Sequence, residues 1–171
     1  MKKQLIICFL SLIVAGTSAF SQEDKSKRAS PPAKVTETTT NGVIISIDYS
    51  QPSLKGRVIG EDVAPVGQVW RTGANEATVF EVSKDAKVNG NLLKAGKYSL
   101  YSIPGEGEAT IIFNKSWKQW GTVYNETEDA LRIKVTPSES PDFNEKLIFL
   151  IDKAGTVTFR WGNSQADFMV E

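Results

Sequence analysis

The sequence predicts a single all-β domain, an antiparallel β-sandwich or flattened barrel of about eight to ten short strands. The first observation is a period-two alternation of apolar residues, clearest over 131–135, 147–151 and 157–161. The second is the Gly, Pro and Asn punctuation between such segments. The third is that no window of about a dozen residues carries the apolar stripe of an amphipathic helix.

The first predicted hairpin has Asn41-Gly42 between two β-prone runs. This dipeptide indicates a type I′ turn, because both residues tolerate the positive φ that the turn needs. Asn89-Gly90 predicts a second tight turn of the same kind. The predicted strands are 35–40, 43–49, 77–82, 97–103, 108–114, 131–135, 147–151, 157–161 and a final edge strand over 166–170.

The start of the chain has the layout of a secretory signal peptide. Lys2 and Lys3 precede an apolar run over 5–15, and small residues follow over 16–19. The run is shorter than the roughly 20 apolar residues that cross a bilayer. Cys8 lies inside the run, away from any lipoprotein cleavage point, so no membrane anchor is expected. We predict a signal peptide over 1–21, a disordered spacer over 22–34 and an exported domain over 35–171, periplasmic or secreted.

Composition limits the classes of function. Without residues 1–21 the chain has 18 Lys and Arg against 20 Asp and Glu, a net charge of −2, and no Cys. This near-balance argues against a nucleic-acid partner, which needs a basic face. The chain has no His, which removes Ser-His and Cys-His nucleophiles and the commonest transition-metal ligand. No cofactor or metal is predicted, and the acidic residues at 126, 128 and 129 lack calcium-loop spacing.

The stretch WRTGANEAT, residues 70–78, combines a Trp, an Arg, an Asn and a Glu just before a predicted strand. If the long loop over 51–68 brings neighbouring strand ends together, these side chains meet residues 48–57. Arg71 or Arg57 would then clamp a carboxylate or phosphate, and Asn75 would meet a sugar or amide. The candidate ligand-binding residues are Asp48, Tyr49, Arg57, Trp70, Arg71, Asn75, Glu76 and Trp120.

The alternative for this stretch is a structural lock. Trp70 would fill the end of the core, Gly73 would supply a positive φ, and Arg71 would pair with Glu76 or Asp48. Most Arg–carboxylate pairs near a core are structural, so the lock is favoured for Trp70 and part of Arg71. Asn75 and the Arg57 side are expected to stay open to a ligand.

Two classes of function remain. One is a non-enzymatic binding or structural module for a small polar ligand, glycan or peptide. The other is a glycosidase-like hydrolase with Glu76 and Asp48 as its carboxylate pair, which needs two carboxyl groups about 5 to 9 Å apart across a cleft. The sequence favours the first class.

Several segments carry a family resemblance. They are YSQPSLKGR at 49–57, WRTGANEAT at 70–78, AGKYSL at 95–100, IPG at 103–105, IFN at 112–114 and WG at 120–121. Together they resemble a domain-of-unknown-function family of exported bacterial proteins, common in the Bacteroidetes, with WRTGANEAT as its hallmark. The resemblance covers 35–171. It implies an exported β-rich domain and no particular activity.

Overall fold

The computed structural model describes residues 24–171, most of which lie in ten β-strands and the loops that join them. Two single-turn 3-10 helices occur at Lys25–Lys27 and Glu126–Glu128. The strands are β1 (Pro32–Thr38), β2 (Ile44–Ser50), β3 (Thr78–Val82), β4 (Ala86–Val88), β5 (Asn91–Leu93), β6 (Gly96–Ile103), β7 (Ala109–Asn114), β8 (Asp129–Val135), β9 (Ser138–Ile151) and β10 (Thr156–Met169).

The all-β prediction is confirmed, and the arrangement is a sandwich. Six strands form one antiparallel sheet in the order β1-β2-β3-β6-β7-β8. The long hairpin β9–β10 and the short hairpin β4–β5 are separate two-stranded sheets. None of these sheets closes on itself, so the flattened-barrel alternative does not apply.

Aromatic side chains join the sheet to the long hairpin. Phe80 of β3 and Phe113 of β7 are fully buried, and their rings lie 6.1 and 5.7 Å from that of Phe168 in β10. Tyr49 of β2 packs edge-on against Phe149 of β9 at 4.8 Å. The core therefore lies between these two layers, and its inward residues follow the predicted period of two.

The β1–β2 hairpin forms where it was predicted, but its turn type differs. Gly42 has φ +76°, whereas Asn41 keeps a negative φ. The Gly42 N–H donates to the Thr39 carbonyl at 2.9 Å. Buried Thr39 closes the loop with its side chain, which accepts from the Val43 N–H at 3.0 Å and donates to the Asn41 side chain. The type I′ prediction is therefore wrong at this position, because a side chain completes the turn.

The β4–β5 hairpin has the predicted tight turn. Asn89 and Gly90 both have positive φ, +45° and +79°, as a type I′ turn requires. The Asn89 side chain also accepts from the Met169 N–H at 2.8 Å. This turn is thereby tied to the end of β10.

The last two strands are longer than predicted. Residues 138–146 lie outside the predicted strands, because they lack apolar alternation, yet they continue β9. They pair with 162–165 through two register shifts, beginning at Gly162 with φ +59°. The predicted strands 157–161 and 166–170 are thus one strand, β10. Bulges of this kind carry no period-two signal.

The beginning of the described chain overlaps two predictions. Strand β1 begins at Pro32, so three residues of the predicted spacer lie in this strand. The predicted signal peptide, 1–21, falls outside the described residues. Over 24–171 we find no helix of the length and apolarity that a membrane crossing requires.

We predict that Tyr49→Phe costs about 1–3 kcal/mol of unfolding free energy. The Tyr49 hydroxyl accepts from the Phe149 N–H at 3.2 Å in a buried place, and its removal leaves that donor unsatisfied. Urea unfolding measures the cost. Tyr98→Phe is the matched control, since its hydroxyl donates to the carbonyl of exposed Lys94, where water can replace it. Equal costs for the two variants would contradict the explanation.

Candidate functional site

Residues 70–76, here called the signature loop, are fixed to the sheet at their first residue. The Trp70 N–H donates to the Ser102 carbonyl at 2.7 Å, and the Trp70 carbonyl accepts from the Ser102 N–H at 2.8 Å. The Trp70 ring stacks on buried Trp161 of β10, with centroids 5.3 Å apart and planes inclined by 7°. Trp70 therefore contacts both the main sheet and the long hairpin.

The tight bend of the signature loop is made by Thr72, and the prediction of a positive φ at Gly73 is wrong. Thr72 has φ +45° and is fully buried, a conformation that costs a β-branched residue about 1–3 kcal/mol. It is held by Thr78, whose hydroxyl donates to the Thr72 carbonyl at 2.9 Å, and by a 3.0 Å bond to the Ser102 hydroxyl. Gly73 is needed for space, since a Cβ there would lie 2.5 Å from the Thr78 hydroxyl oxygen.

The stem of Arg71 lies against a glycine of another loop. A Cβ on Gly121 would lie 2.5 Å from Arg71 Cδ and 2.9 Å from the Asn75 carbonyl oxygen. The Gly121 N–H donates to that same Asn75 carbonyl at 3.0 Å. The Gly121 backbone therefore packs closely against the Arg71 side chain and restricts it on that side.

The guanidinium of Arg71 is nearly unpartnered by the protein. Its Nε–H donates to the Gly73 carbonyl at a long 3.4 Å, close to the limit of a hydrogen bond. Within residues 24–171 no carboxylate forms an ion pair with it. Partial burial lowers the pKa of Arg71 by removing water from around the charge, but arginine stays protonated at neutral pH. The result is a half-buried positive charge without a counter-charge.

Arg71 lines an open cleft of about 590 Å³, within the usual size range of small-molecule sites. The cleft lies between the long loop after β2, the signature loop and the loop that precedes β8. Its lining residues are Ser30, Pro52, Arg57, Asp62, Val63, Ala64, Pro65, Val69, Trp70, Arg71, Gly73, Ala74, Tyr101, Gly121, Thr122, Tyr124 and Trp161.

The other two charged residues of the cleft have local partners. Arg57 donates from Nη2 to the Ser53 carbonyl at 2.7 Å and from Nε to the Leu54 carbonyl at 3.0 Å. Asp62 accepts from the Val58 N–H at 2.8 Å. Among the described residues the wall of the cleft holds two arginines and one carboxylate, so its formal charge is positive and favours an anion.

Two tyrosines also line the cleft. Their rings, Tyr101 and Tyr124, meet edge to face at 4.9 Å. The Tyr101 hydroxyl donates to the Val123 carbonyl at 2.6 Å, and that of Tyr124 donates to Asp129 at 2.7 Å. Burial and the Asp129 carboxylate raise the pKa of Tyr124 to about 12. Both hydroxyls therefore stay protonated and committed to the protein at neutral pH.

The negative charge of Glu76 is balanced by two cations from the segment that precedes β1. Lys25 Nζ lies 2.7 Å and Arg28 Nη1 lies 2.9 Å from its carboxylate oxygens. The hydrogen bond from Lys25 is the largest cause, and with Arg28 it lowers the pKa of Glu76 to about 2. We call residues 24–31, which supply these cations, the N-terminal arm.

The structure divides the predicted candidate residues between two places. The prediction that Arg71 pairs with Glu76 or Asp48 is wrong, because the N-terminal arm supplies the partners of Glu76, and Lys34 pairs with Asp48 at 2.9 Å. Arg57, Trp70 and Arg71 line the cleft. A second pocket of about 190 Å³ is lined by Asp48, Tyr49 and Glu76 together with Lys25 and Arg28.

Asn75 and Trp120 belong to neither group. Asn75, at φ +58°, donates from its side chain to the Ser30 carbonyl at 3.0 Å, so part of the amide expected to meet a ligand holds the N-terminal arm instead. Trp120 is 48% exposed and lines neither cavity. Its backbone forms a bridge to Glu76, which ties the signature loop to the loop that precedes β8.

The carboxylates do not have the properties of a hydrolase pair. A general acid needs a raised pKa, whereas that of Glu76 is lowered to about 2. Asp48 and Glu76 line one pocket, but each is held in an ion pair. The geometry therefore gives the glycosidase alternative no support.

The acidic turn over 126–129 has its own cation. Arg132 lies 2.9 Å from Glu126 and 2.8 Å from Asp129. Its guanidinium occupies the position between these carboxylates, as in a charged surface turn.

Sequence reasoning missed several residues that build the site. Lys25 and Arg28 were assigned to a spacer, since a short charged segment carries no period that predicts docking. Trp161 was recognised only as a strand residue. Tyr101 lies within a predicted strand, and nothing in its neighbourhood indicated that its edge faces a cleft. Gly121 was quoted for the resemblance alone, although a glycine beside an exposed Trp is a signal of close backbone approach.

We predict a pH-dependent contribution of Glu76 to stability. Its pKa is lowered from 4.5 to about 2 on folding, so the stabilisation is present above about pH 5 and is lost as the pH falls towards 2. The Glu76 side chain is 39% exposed, and solvent screening limits the contribution to about 1 kcal/mol. The free-energy difference between the wild type and Glu76→Gln should therefore shrink from about 1 kcal/mol at neutral pH to near zero at about pH 2.

Denaturant unfolding across this pH range measures the difference. The variant Lys25→Gln is the control, because it removes the largest of these interactions from the other side and should lose part of the same pH-dependent stabilisation. A wild-type advantage over Glu76→Gln that stays constant down to about pH 2 would contradict the assignment.

Comparison with known proteins gives one match. A family model with the description "protein of unknown function (DUF2911)" matches residues 30–170, a range that includes the signature loop, the cleft and the core. Comparisons with curated proteins and with solved structures gave no match. The bacterial source and the hallmark status of WRTGANEAT stay predictions. Since the match covers most of the chain, the protein belongs to the DUF2911 family of proteins of unknown function.

Proposed function

We propose that this domain is a non-enzymatic binding module that holds a small ligand by an anionic group. The observation that carries the proposal is Arg71, a half-buried guanidinium in the wall of the cleft without an ion-pair partner in residues 24–171. Its two terminal nitrogens are the donors that a carboxylate or phosphate engages in a bidentate pair.

The energetic argument is that burial of this charge is uncompensated. A guanidinium that loses water and gains no counter-charge lowers the stability of the folded protein. An anion in the cleft would restore the lost hydrogen bonds in a place where the local dielectric is lower than in water. The binding of an anion therefore has a favourable term that a fully solvated arginine would not supply.

The site is prepared before any ligand arrives. Gly121 restricts the Arg71 stem on one side, buried Thr72 holds the bend of the loop, and Trp70 is fixed by backbone and ring. A side chain held in its binding geometry loses little conformational entropy on binding. This preparation supports a binding role over a purely structural one, which would not need the guanidinium to face a cleft.

The shape and the charge narrow the class of ligand. A cleft of about 590 Å³ suits a small molecule or the end of a peptide, and not a nucleic acid, which needs an extended basic face. Export of the domain is part of the proposal. It is supported by the n-region, apolar run and small residues of the first 21 positions.

We expect Arg71→Gln to weaken anion binding at least about tenfold, which corresponds to about 1.4 kcal/mol. Isothermal titration with acetate and with inorganic phosphate, at low ionic strength, measures the affinities. Lys118→Gln is the control, because it removes one positive charge from an exposed residue that does not line the cleft.

A second variant separates position from charge. Gly121→Ala keeps Arg71 but places a methyl group 2.5 Å from its Cδ and 2.9 Å from the Asn75 carbonyl oxygen, so the signature loop and the guanidinium must move and the affinity should fall. Wild-type affinity in Arg71→Gln would refute the proposal. If the wild type binds neither anion while Arg71→Gln loses stability, the role of Arg71 is structural.

A further inference from the structure

An apolar cavity, distinct from the two spaces described above, lies beside the cleft. It has a volume of about 200 Å³, and its wall is formed mainly by Ile59, Ala64, Trp70, Leu147, Phe159 and Trp161. Within residues 24–171 no charged residue lines it. By contrast, the cleft carries Arg57, Asp62 and Arg71.

The two spaces are neighbours because they share three wall residues. Ala64, Trp70 and Trp161 line both of them. The stacked indoles of Trp70 and Trp161 thus border the charged cleft and the apolar cavity together. Ala64 has φ +48°, which turns the chain at this junction with only a methyl side chain. Of these two adjacent spaces, the cleft is the charged one and the cavity is the apolar one.

We propose that the ligand is an amphipathic anion: a carboxylate or phosphate group held by Arg71, joined to a flat ring or short alkyl chain in the apolar cavity. This rests on the proposed function and extends it to the rest of the ligand. Burial of apolar surface against Trp70 and Trp161 supplies affinity, and the guanidinium fixes the orientation. A purely polar ligand such as a sugar would leave the apolar cavity without a partner.

The volume sets the size of the apolar part. An apolar cavity of about 150 Å³ holds one benzene molecule, so about 200 Å³ holds a group of roughly six to eight non-hydrogen atoms. The anionic head lies in the larger cleft. A hexanoate chain or a phenyl ring fits this description, whereas a long fatty-acyl chain exceeds it.

The test is a series of ligands of increasing alkyl length, titrated against the protein without residues 1–21. Acetate, butyrate and hexanoate are titrated, followed by inorganic phosphate and hexyl phosphate, with hexanol as the uncharged probe. Each buried methylene adds up to about fourfold in affinity, so hexanoate should bind at least about tenfold more tightly than acetate. Hexanol should bind more weakly than hexanoate. The carboxylate and phosphate arms show which head is preferred.

Variants assign the gain to the apolar cavity. Ala109 and Ala166 line this cavity but not the cleft. Ala109→Leu, or Ala166→Leu if the first does not fold, should remove most of the gain from acetate to hexanoate and leave acetate affinity unchanged. Arg71→Gln should weaken hexanoate and acetate alike.

The possible failures are distinct. If acetate and hexanoate bind the wild type equally, or if hexanol binds as tightly as hexanoate, the amphipathic ligand is wrong. If acetate and hexanoate bind equally and neither binds the Arg71→Gln variant, the proposed anion-binding function still holds. If no member of either anion series binds, the proposed function fails as well.

Discussion

The site depends on one interaction, the pair of backbone hydrogen bonds between Trp70 and Ser102 of β6. They fix the first residue of the signature loop to an interior strand of the main sheet, so the loop inherits the rigidity of that sheet. The stack of Trp70 on Trp161 adds a contact with the long hairpin. A loop tied to both layers of a sandwich can keep a strained residue such as Thr72 and can present a charge in a fixed direction.

Charge is distributed unevenly around this loop. Glu76 has two cations within hydrogen-bond distance, while Arg71, five residues earlier, has one long bond to a carbonyl. A protein could have placed these two side chains against each other. Here the backbone directs Glu76 towards the N-terminal arm and Arg71 towards the cleft, so one charge contributes to folding and the other remains accessible to a ligand.

The fold was largely predictable, because period-two alternation reports directly which face of a strand is buried. Strand β9 escaped this rule over 138–146, since its residues pair through bulges and the one buried side chain among them, Ser140, is polar. The types of residue in the site could be predicted from the sequence, but their ion-pair partners could not. Arg71 and Glu76 were correctly singled out, yet nothing in a local stretch reveals that Lys25, about fifty positions earlier, takes the carboxylate. A positive φ was predicted for Gly73, whereas the structure needs a glycine there because a larger residue would collide with the Thr78 hydroxyl.

The N-terminal arm has a consequence for how the domain is delimited. Ser30 forms part of the wall of the cleft and accepts a hydrogen bond from Asn75, although strand periodicity placed the domain boundary at residue 35. A chain cut at that boundary would keep the fully buried core residues, which begin at Val43, but it would lose Ala33, the first three residues of β1 and one side of the cleft. It would also leave the Glu76 carboxylate without its two cations. The segment needed for a complete site therefore begins before the first strand, and changes within residues 24–31 would alter the shape of the cleft while leaving the ten strands in place.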